Sequence, residues 1–219
     1  MSLPWEIFDR VLLFLPRIEA YRVAVDLRRL HVRDAILLKT SSACPISACE
    51  RGIVSLLEWW AKRKFIGPLN APIGVLVPFC IEVACQYGKV NVLDWFMEQR
   101  EYPFICGEEG LDYAAGAGHV SVFEWFKGKG LRIKVSSCAV NWASANNNID
   151  ILDWLKENTP ELSYNIDAIY FACKRNHIST LRWWDGSGLP LPGVRYHVDA
   201  RSAFAGECRL WWEERYPAA

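Results

Sequence analysis

The sequence predicts an all-α protein, an α-solenoid in which short helix-turn-helix units stack along the chain. The main observation is a pattern that occurs five times: an alanine and a small residue, a Gly or Asn three positions later, then Leu or Phe two residues before a Trp. Regular repetition indicates stacked units, because such units bury their apolar faces only against their neighbours. The copies span residues 48–59, 84–95, 114–125, 143–154 and 172–183.

The spacing of the pattern settles to 29 residues in the second half of the chain. Trp125, Trp154 and Trp183 follow one another at this interval, and Trp212 continues it in a degenerate sixth copy that lacks one residue. A fixed period in this range is typical of helical repeats. We therefore expect about six units in residues 41–216, preceded by a separate helical element in residues 1–40.

Residues 111–130 show best why each unit should be two helices. Leu111 and Ala114 share one face of a first helix by their spacing, and Val122 and Phe126 share one face of a second helix. First helices contain the small pair, so they can approach one another more closely than the bulkier second helices can. The stack should therefore curve, with the first helices on the concave side.

The turn between the two helices contains Gly or Asn in every complete copy. Both residue types tolerate the left-handed backbone conformation that ends a helix. We therefore expect that conformation at Gly52, Gly88, Gly118, Asn147 and Asn176.

Between the first two copies the spacing is longer. Residues 64–78 contain three prolines and two glycines. Such a composition predicts a loop.

One copy resembles a known family closely. Ala114-Ala115 followed by Gly118-His119 and an apolar second helix resembles the second half of an ankyrin repeat. Ankyrin units have about 33 residues, so these units resemble a short variant with a trimmed β-hairpin finger. The resemblance covers about residues 41–216 and implies recognition of a protein partner on the concave first-helix face.

On that match, the residues facing the partner are the pair before each Gly or Asn of the turn. The column mixes acids, bases, amides and an aromatic, as a binding face does and as a merely solvated face also does. Tyr87 and Arg175 are the anchors we expect. The full column is Glu50, Arg51, Gln86, Tyr87, Gly116, Ala117, Ala145, Asn146, Lys174 and Arg175.

The first forty residues do not fit the repeat. Ile7, Val11 and Leu15 recur every four residues and make one apolar stripe of a helix. A second helical segment follows at residues 21–30 and contains Arg28-Arg29. The simplest role for these helices is an N-terminal cap that shields the apolar side of the first repeat.

The same region also resembles an F-box, through its Leu-Pro-x-Glu-Ile opening and its Arg-Arg-Leu ending. The resemblance implies docking on the Skp adaptor of cullin-based (SCF-type) ubiquitin ligases, with the following domain recognising the substrate. Asp26 and Leu27 depart from the family, which often has Val-Cys near that point. The matching residues, which would bind the adaptor, are Leu3, Pro4, Ile7, Val11 and Leu15.

Charge and hydropathy argue against a nucleic-acid or membrane partner. Lysine plus arginine equals aspartate plus glutamate, 25 against 25, and no basic stripe follows the repeat positions. The apolar run at residues 11–15 is too short for a signal peptide or a membrane span.

Cysteine usage fits a reducing intracellular compartment, the cytoplasm or the nucleus. Of eight cysteines, Cys49, Cys85 and Cys173 share one repeat position, and Cys44 and Cys80 share another. Cysteines that follow the repeat register are expected to be small buried thiols. The absence of any Cys-x-x-Cys pair weakens a zinc or redox site.

We expect no catalytic centre, cofactor or metal site. His119 and His177 directly follow the turns, where an imidazole more often makes a structural hydrogen bond. Glu108 and Glu109 are adjacent in sequence and cannot oppose each other as an acid and a base across a cleft. Three hypotheses stay open: a ligase substrate receptor, a plain interaction scaffold, and an enzyme with an unrecognised site.

Overall fold

The computed structural model describes residues 45–62, 73–99, 104–191 and 206–215, and all regular elements in these ranges are α-helices. The all-α class is therefore confirmed for the described part of the chain. Residues 1–40, with the predicted F-box-like or capping helices, lie outside it. The helices are α1 Pro45–Arg51, α2 Val54–Lys62, α3 Ile73–Gln86, α4 Val90–Glu98, α5 Glu108–Ala117, α6 Val120–Gly128, α7 Ser137–Ala145, α8 Ile149–Asn158, α9 Asp167–Lys174, α10 Ile178–Ser187 and α11 Gly206–Arg215.

Helices pack with their neighbours in chain order. First helices contact one another in the order α1, α3, α5, α7, α9, and second helices do so in the order α2, α4, α6, α8, α10. Contacts between first helices are the more extensive, as the small pair predicts. Both members of that pair are buried in all five copies: Ala48 and Cys49, Ala84 and Cys85, Ala114 and Ala115, Ala143 and Ser144, Ala172 and Cys173.

All five predicted turns have the left-handed backbone conformation. Gly118, with φ +82°, shows the geometry: its N–H donates to the Ala115 carbonyl at 3.1 Å, and the N–H of His119 donates to the Ala114 carbonyl at 2.9 Å. This is the Schellman arrangement that closes a helix C-terminus. The other four turn residues have φ between +60° and +73°: Gly52, Gly88, Asn147 and Asn176.

The loop predicted at residues 64–78 is wrong at its end, because α3 begins at Ile73 and includes Pro78. Proline inside a helix removes one backbone hydrogen bond and costs about 3 kcal/mol or more. Val77, Cys80 and Ile81 are almost fully buried on the same helix. Burial of these side chains outweighs the local penalty, a tertiary effect that composition does not reveal.

Tryptophans connect the second helices through carboxylates. The indole N–H of Trp125 donates to Asp94 Oδ1 at 2.9 Å, and that of Trp154 donates to Glu124. Both acceptors lie directly before the tryptophan of the preceding unit. Each hydrogen bond therefore links adjacent units while most of the indole ring stays buried.

In the last helix, the tryptophan that corresponds to the repeated pattern differs from the predicted one. Trp211 donates its indole N–H to the preceding unit, at 2.7 Å from Asp185 Oδ2. Trp183 does the same with Asp153 at 2.6 Å. Trp212 is 2% exposed, like Trp184 at 1%. Hydrogen bonding and burial thus make Trp211 the counterpart of Trp183, one residue earlier than the 29-residue period predicts.

Candidate interaction groove

An open groove lies on the exposed side of the first helices, which we call the first-helix face. Its volume is about 300 Å³, and its lining comes from α3, α5, α7 and the residue that directly follows α7. No acid, base or thiol is part of the lining. We call it the aromatic groove, and its lining residues are Gln86, Tyr113, Gly116, Ala117, Trp142 and Asn146.

Gly116 lets α5 and α7 approach closely at the bottom of this groove. A Cβ at Gly116 would lie 3.0 Å from the Cβ of Trp142, closer than side chains normally pack. Glycine therefore provides the space into which the Trp142 side chain fits. Any larger residue at 116 would have to push α7 away or move the indole.

Tyr113 and Trp142 form the aromatic part of the lining. Their ring centroids are 5.3 Å apart and their planes differ by 14°, a stacked arrangement. Tyr113 is 39% exposed and Trp142 is half-buried, so the pair presents apolar surface to solvent. Exposed aromatic side chains of this kind are enriched in protein interfaces.

Hydrogen bonds between units hold one end of the groove. Asn146 donates its side-chain amide to the Gly116 carbonyl at 2.7 Å. Arg175 donates Nη1 to the Ala145 carbonyl at 2.9 Å and to the side-chain oxygen of Asn146. The guanidinium of Arg175 is thereby fixed next to Asn146, at the edge of the groove.

The predicted partner-facing column is only partly a surface. Four of its members line the aromatic groove: Gln86, Gly116, Ala117 and Asn146. The exposed members outside the groove lining are Glu50, Arg51, Tyr87, Lys174 and Arg175.

Two members of the column need correction, because Gly116 and Ala145 are buried. The next unit packs over both positions: Asn146 bonds to the Gly116 carbonyl, and Arg175 bonds to that of Ala145. Neither residue therefore presents a side chain to a partner. The predicted adaptor-binding residues, Leu3, Pro4, Ile7, Val11 and Leu15, lie outside the described residues.

Tyr113 and Trp142 are not among the partner-facing residues predicted from the sequence. Both lie four residues before a column member, Ala117 and Asn146, and residues four apart share a helix face. The same spacing relates Phe171, which is 36% exposed, to Arg175. In the last three complete copies, this aromatic column was therefore visible in the sequence as the position just before the alanine of the repeated pattern.

His119 has the structural role that its position predicts. Its ring hydrogen-bonds to the backbone of Gln86, and burial lowers the pKa of the imidazole below its usual value. Asn148, at the same position one unit later, donates its amide to the Gly116 carbonyl at 2.8 Å. An imidazole and an amide thus make the same contact with the preceding first helix.

Two thiols meet outside the groove. The Sγ atoms of Cys85 and Cys106 are 3.9 Å apart, and both residues are free cysteines. Their hydrogen bond and the burial of Cys85 raise the pKa of the Cys85 thiol strongly. A thiol that stays protonated is a poor nucleophile, so Cys85 does not resemble an activated catalytic cysteine.

Searches of known proteins give no family for this chain: neither a family model nor a curated protein sequence matches it. In the described ranges, no three His, Cys, Asp or Glu side chains are grouped so that they could hold a metal ion. No helix in those ranges is long and apolar enough to cross a membrane. The aromatic groove and the repeat pattern are therefore the features of the chain that bear on its function.

Proposed function

We propose that this chain is a protein–protein interaction module, a solenoid of short ankyrin-like repeats that binds a partner on the first-helix face. The observation that supports this most is the aromatic groove, because four of its six lining residues belong to the column that the ankyrin resemblance identifies as partner-facing. Its lining combines aromatic rings, side-chain amides and small residues. Grooves of this composition bind by burying apolar surface and pairing a few polar groups.

Further exposed aromatic residues support a protein partner. Tyr87, at 42% exposure, follows Gln86 on the same turn, and Phe171 belongs to the same aromatic column as Tyr113 and Trp142. Tyrosine, tryptophan and arginine are the residue types that most often dominate binding energy. With Arg175 beside the groove, the first-helix face contains all three types.

An enzyme is the weaker alternative because the groove lacks reactive groups. General acid–base or nucleophilic catalysis needs a titratable or nucleophilic side chain next to the bound substrate. The lining offers only amides, a phenol and an indole as polar side chains. We therefore propose a non-enzymatic role with no cofactor.

A site-specific photo-cross-link tests the interaction function. A photoreactive phenylalanine replaces exposed Ala117 in the groove, and the matched control replaces exposed Glu157 on a second helix. After irradiation in native cell extract, we expect a discrete cross-linked protein from position 117 and none from position 157. Equal labelling from both positions, or labelling from neither, would reject the first-helix face as a binding surface.

We also propose that residues 1–40 are an F-box that delivers the bound partner to an SCF-type ubiquitin ligase in the cytoplasm or nucleus. The support is the motif formed by Leu3, Pro4, Ile7, Val11 and Leu15.

A pull-down with purified Skp adaptor tests whether residues 1–40 are an F-box. We expect the parent to bind and the Leu3→Ala/Ile7→Asp variant to fail, with Lys174→Ala as a control that binds normally. A parent chain that does not bind the adaptor leaves the plain scaffold with capping helices.

A further inference from the structure

The aromatic groove contains hydrogen-bond donors that the described part of the chain leaves without acceptors. They are the side-chain amide of Gln86, the hydroxyl of Tyr113 and the indole N–H of Trp142. Trp125 and Trp154 differ, since their N–H groups donate to carboxylates of a neighbouring unit. A partner that covers an unpaired donor without offering an acceptor binds less tightly, because the donor loses its hydrogen bonds to water. A partner that fills the groove must therefore bring its own acceptors.

An extended backbone supplies such acceptors, whereas a helix does not. The carbonyls of an α-helix are mostly used within the helix. A polyproline II segment has no internal hydrogen bonds, so its carbonyls remain free. Proline-rich segments in this conformation characteristically bind aromatic-lined grooves. The stacked rings of Tyr113 and Trp142 give the groove that lining.

Arg175 determines the charge that a partner should have next to the groove. Its Nη1 is held by the Ala145 carbonyl and by Asn146, while within the described residues Nε and Nη2 have no acceptor. A guanidinium fixed by one nitrogen, with further N–H groups free, is suited to a carboxylate. The groove lining itself is uncharged, so the acidic group belongs beside it, not in it.

We propose that the aromatic groove binds an extended, proline-containing peptide segment whose neighbouring acidic side chain pairs with Arg175. The proposal rests on the proposed interaction function and specifies the chemistry of the partner. A single nucleic-acid strand could also stack on Tyr113 and Trp142. The lining, however, contains no lysine or arginine, and the chain has a formal net charge of zero. A peptide therefore fits the groove better.

Selection from a random 12-residue peptide library displayed on phage tests the chemistry directly, with the full chain as the target. We expect selected sequences to contain proline with an aspartate or glutamate a few residues away. A synthetic peptide of the consensus is then titrated by fluorescence anisotropy. The Kd should rise at least tenfold for Trp142→Ala. It should stay unchanged for Phe79→Ala, which removes an exposed aromatic residue of α3 outside the groove.

Two further variants keep the test valid if Trp142→Ala does not fold. Tyr113→Phe removes only the free hydroxyl and should raise the Kd about threefold. Arg175→Glu should reverse the charge preference, so that a peptide with lysine in place of the acid binds more tightly than the original. Circular dichroism of each variant confirms that it retains the parent's helical content.

The outcomes separate this proposal from the general function. Selected peptides without proline, or peptides that bind Trp142→Ala as tightly as the parent, would show that the partner class is wrong while protein binding stands. An unchanged charge preference in Arg175→Glu would reject the role of that residue. Selection of no peptide, together with binding of a labelled 12-nucleotide single strand, would overturn the peptide proposal, and the cross-link at Ala117 would decide the interaction function independently.

Discussion

Two glycines with the same backbone conformation allow the cost of backbone strain to be measured apart from the cost of a side-chain clash. Gly88 and Gly130 both have φ +65°. A Cβ at Gly88 would lie 2.7 Å from Nδ1 of His119, whereas a Cβ at Gly130 would have no atom within 4 Å. Gly130→Ala should cost about 1–2 kcal/mol from the left-handed conformation alone. Gly88→Ala should cost about 1–3 kcal/mol more, because the ring must move.

Urea unfolding of both glycine variants, followed by tryptophan fluorescence, measures the difference. The additional loss of unfolding free energy in Gly88→Ala should become smaller when it is combined with His119→Ala, since the smaller side chain at 119 relieves the clash. Equal losses for the two single variants would mean that the His119 ring does not rest on Gly88.

His119 should make the stability of the protein depend on pH. Burial lowers its pKa in the folded state below the ordinary 6.5, so the unfolded chain takes up a proton first as the pH falls. The contribution of neutral His119 to the free energy of unfolding is complete above pH 6.5. It is lost as the pH drops from there towards the lowered folded-state pKa. His119→Asn should remove this contribution and keep the hydrogen bond, as Asn148 does one unit later.

Chemical unfolding of the parent and of His119→Asn between pH 5 and 8 checks this expectation. The difference in unfolding free energy between the two proteins should change below pH 6.5 and stay constant above it. The variant corrects for other titrating groups, which both proteins share. A difference that does not vary with pH would mean that the imidazole is solvated in the folded state.

At the scale of the helix, the buried tryptophans contribute in two ways. Trp125 is 8% exposed, packs edge-on against Phe126 at 5.2 Å and hydrogen-bonds to Asp94. Trp125→Ala should cost about 3–5 kcal/mol, because it leaves a cavity between units. Trp125→Phe keeps most of the packing and should cost about 1–2 kcal/mol, since Asp94 still pairs with Lys129 at 2.8 Å.

Thermal and urea unfolding rank the two Trp125 variants. If Trp125→Phe were as damaging as Trp125→Ala, the indole hydrogen bond and not the packing would be the main contribution. If both matched the parent, this side chain would not belong to the core.

Individual helices and turns differ in how well they could be predicted from the sequence. The small pair and the turn residues were predicted correctly because each repeats a local requirement, either close helix contact or a left-handed φ. The helical state of Pro78 was not, because it depends on the burial of Val77 and Ile81 against other helices. Four residues that line the groove, its amides and small residues, belong to the predicted column, but the aromatic pair one turn earlier was overlooked.

For the whole molecule, stacking in chain order implies that each unit is stabilised mainly by its neighbours. The last described helix, α11, packs chiefly on α9 and α10. Asp185 holds it at several points: it accepts from Trp211 at 2.7 Å and from two nitrogens of Arg215 at 2.8 Å each. Arg215 also lies over the Trp211 ring, 4.4 Å from its centroid. Loss of Asp185 should therefore loosen α11 before any other part of the stack.

Hydrogen exchange measured by mass spectrometry tests this locality. Asp185→Ala should raise exchange at least tenfold in residues 206–215 and leave α3 to α7 unchanged, because no contact of Asp185 reaches those helices. Glu207→Ala is the matched control, since it removes an ion pair with Arg182 in which both side chains are more than two-thirds exposed, and such pairs contribute little. Faster exchange throughout all units of Asp185→Ala would show that the stack opens as one cooperative body, and the nearest-neighbour description would then not hold.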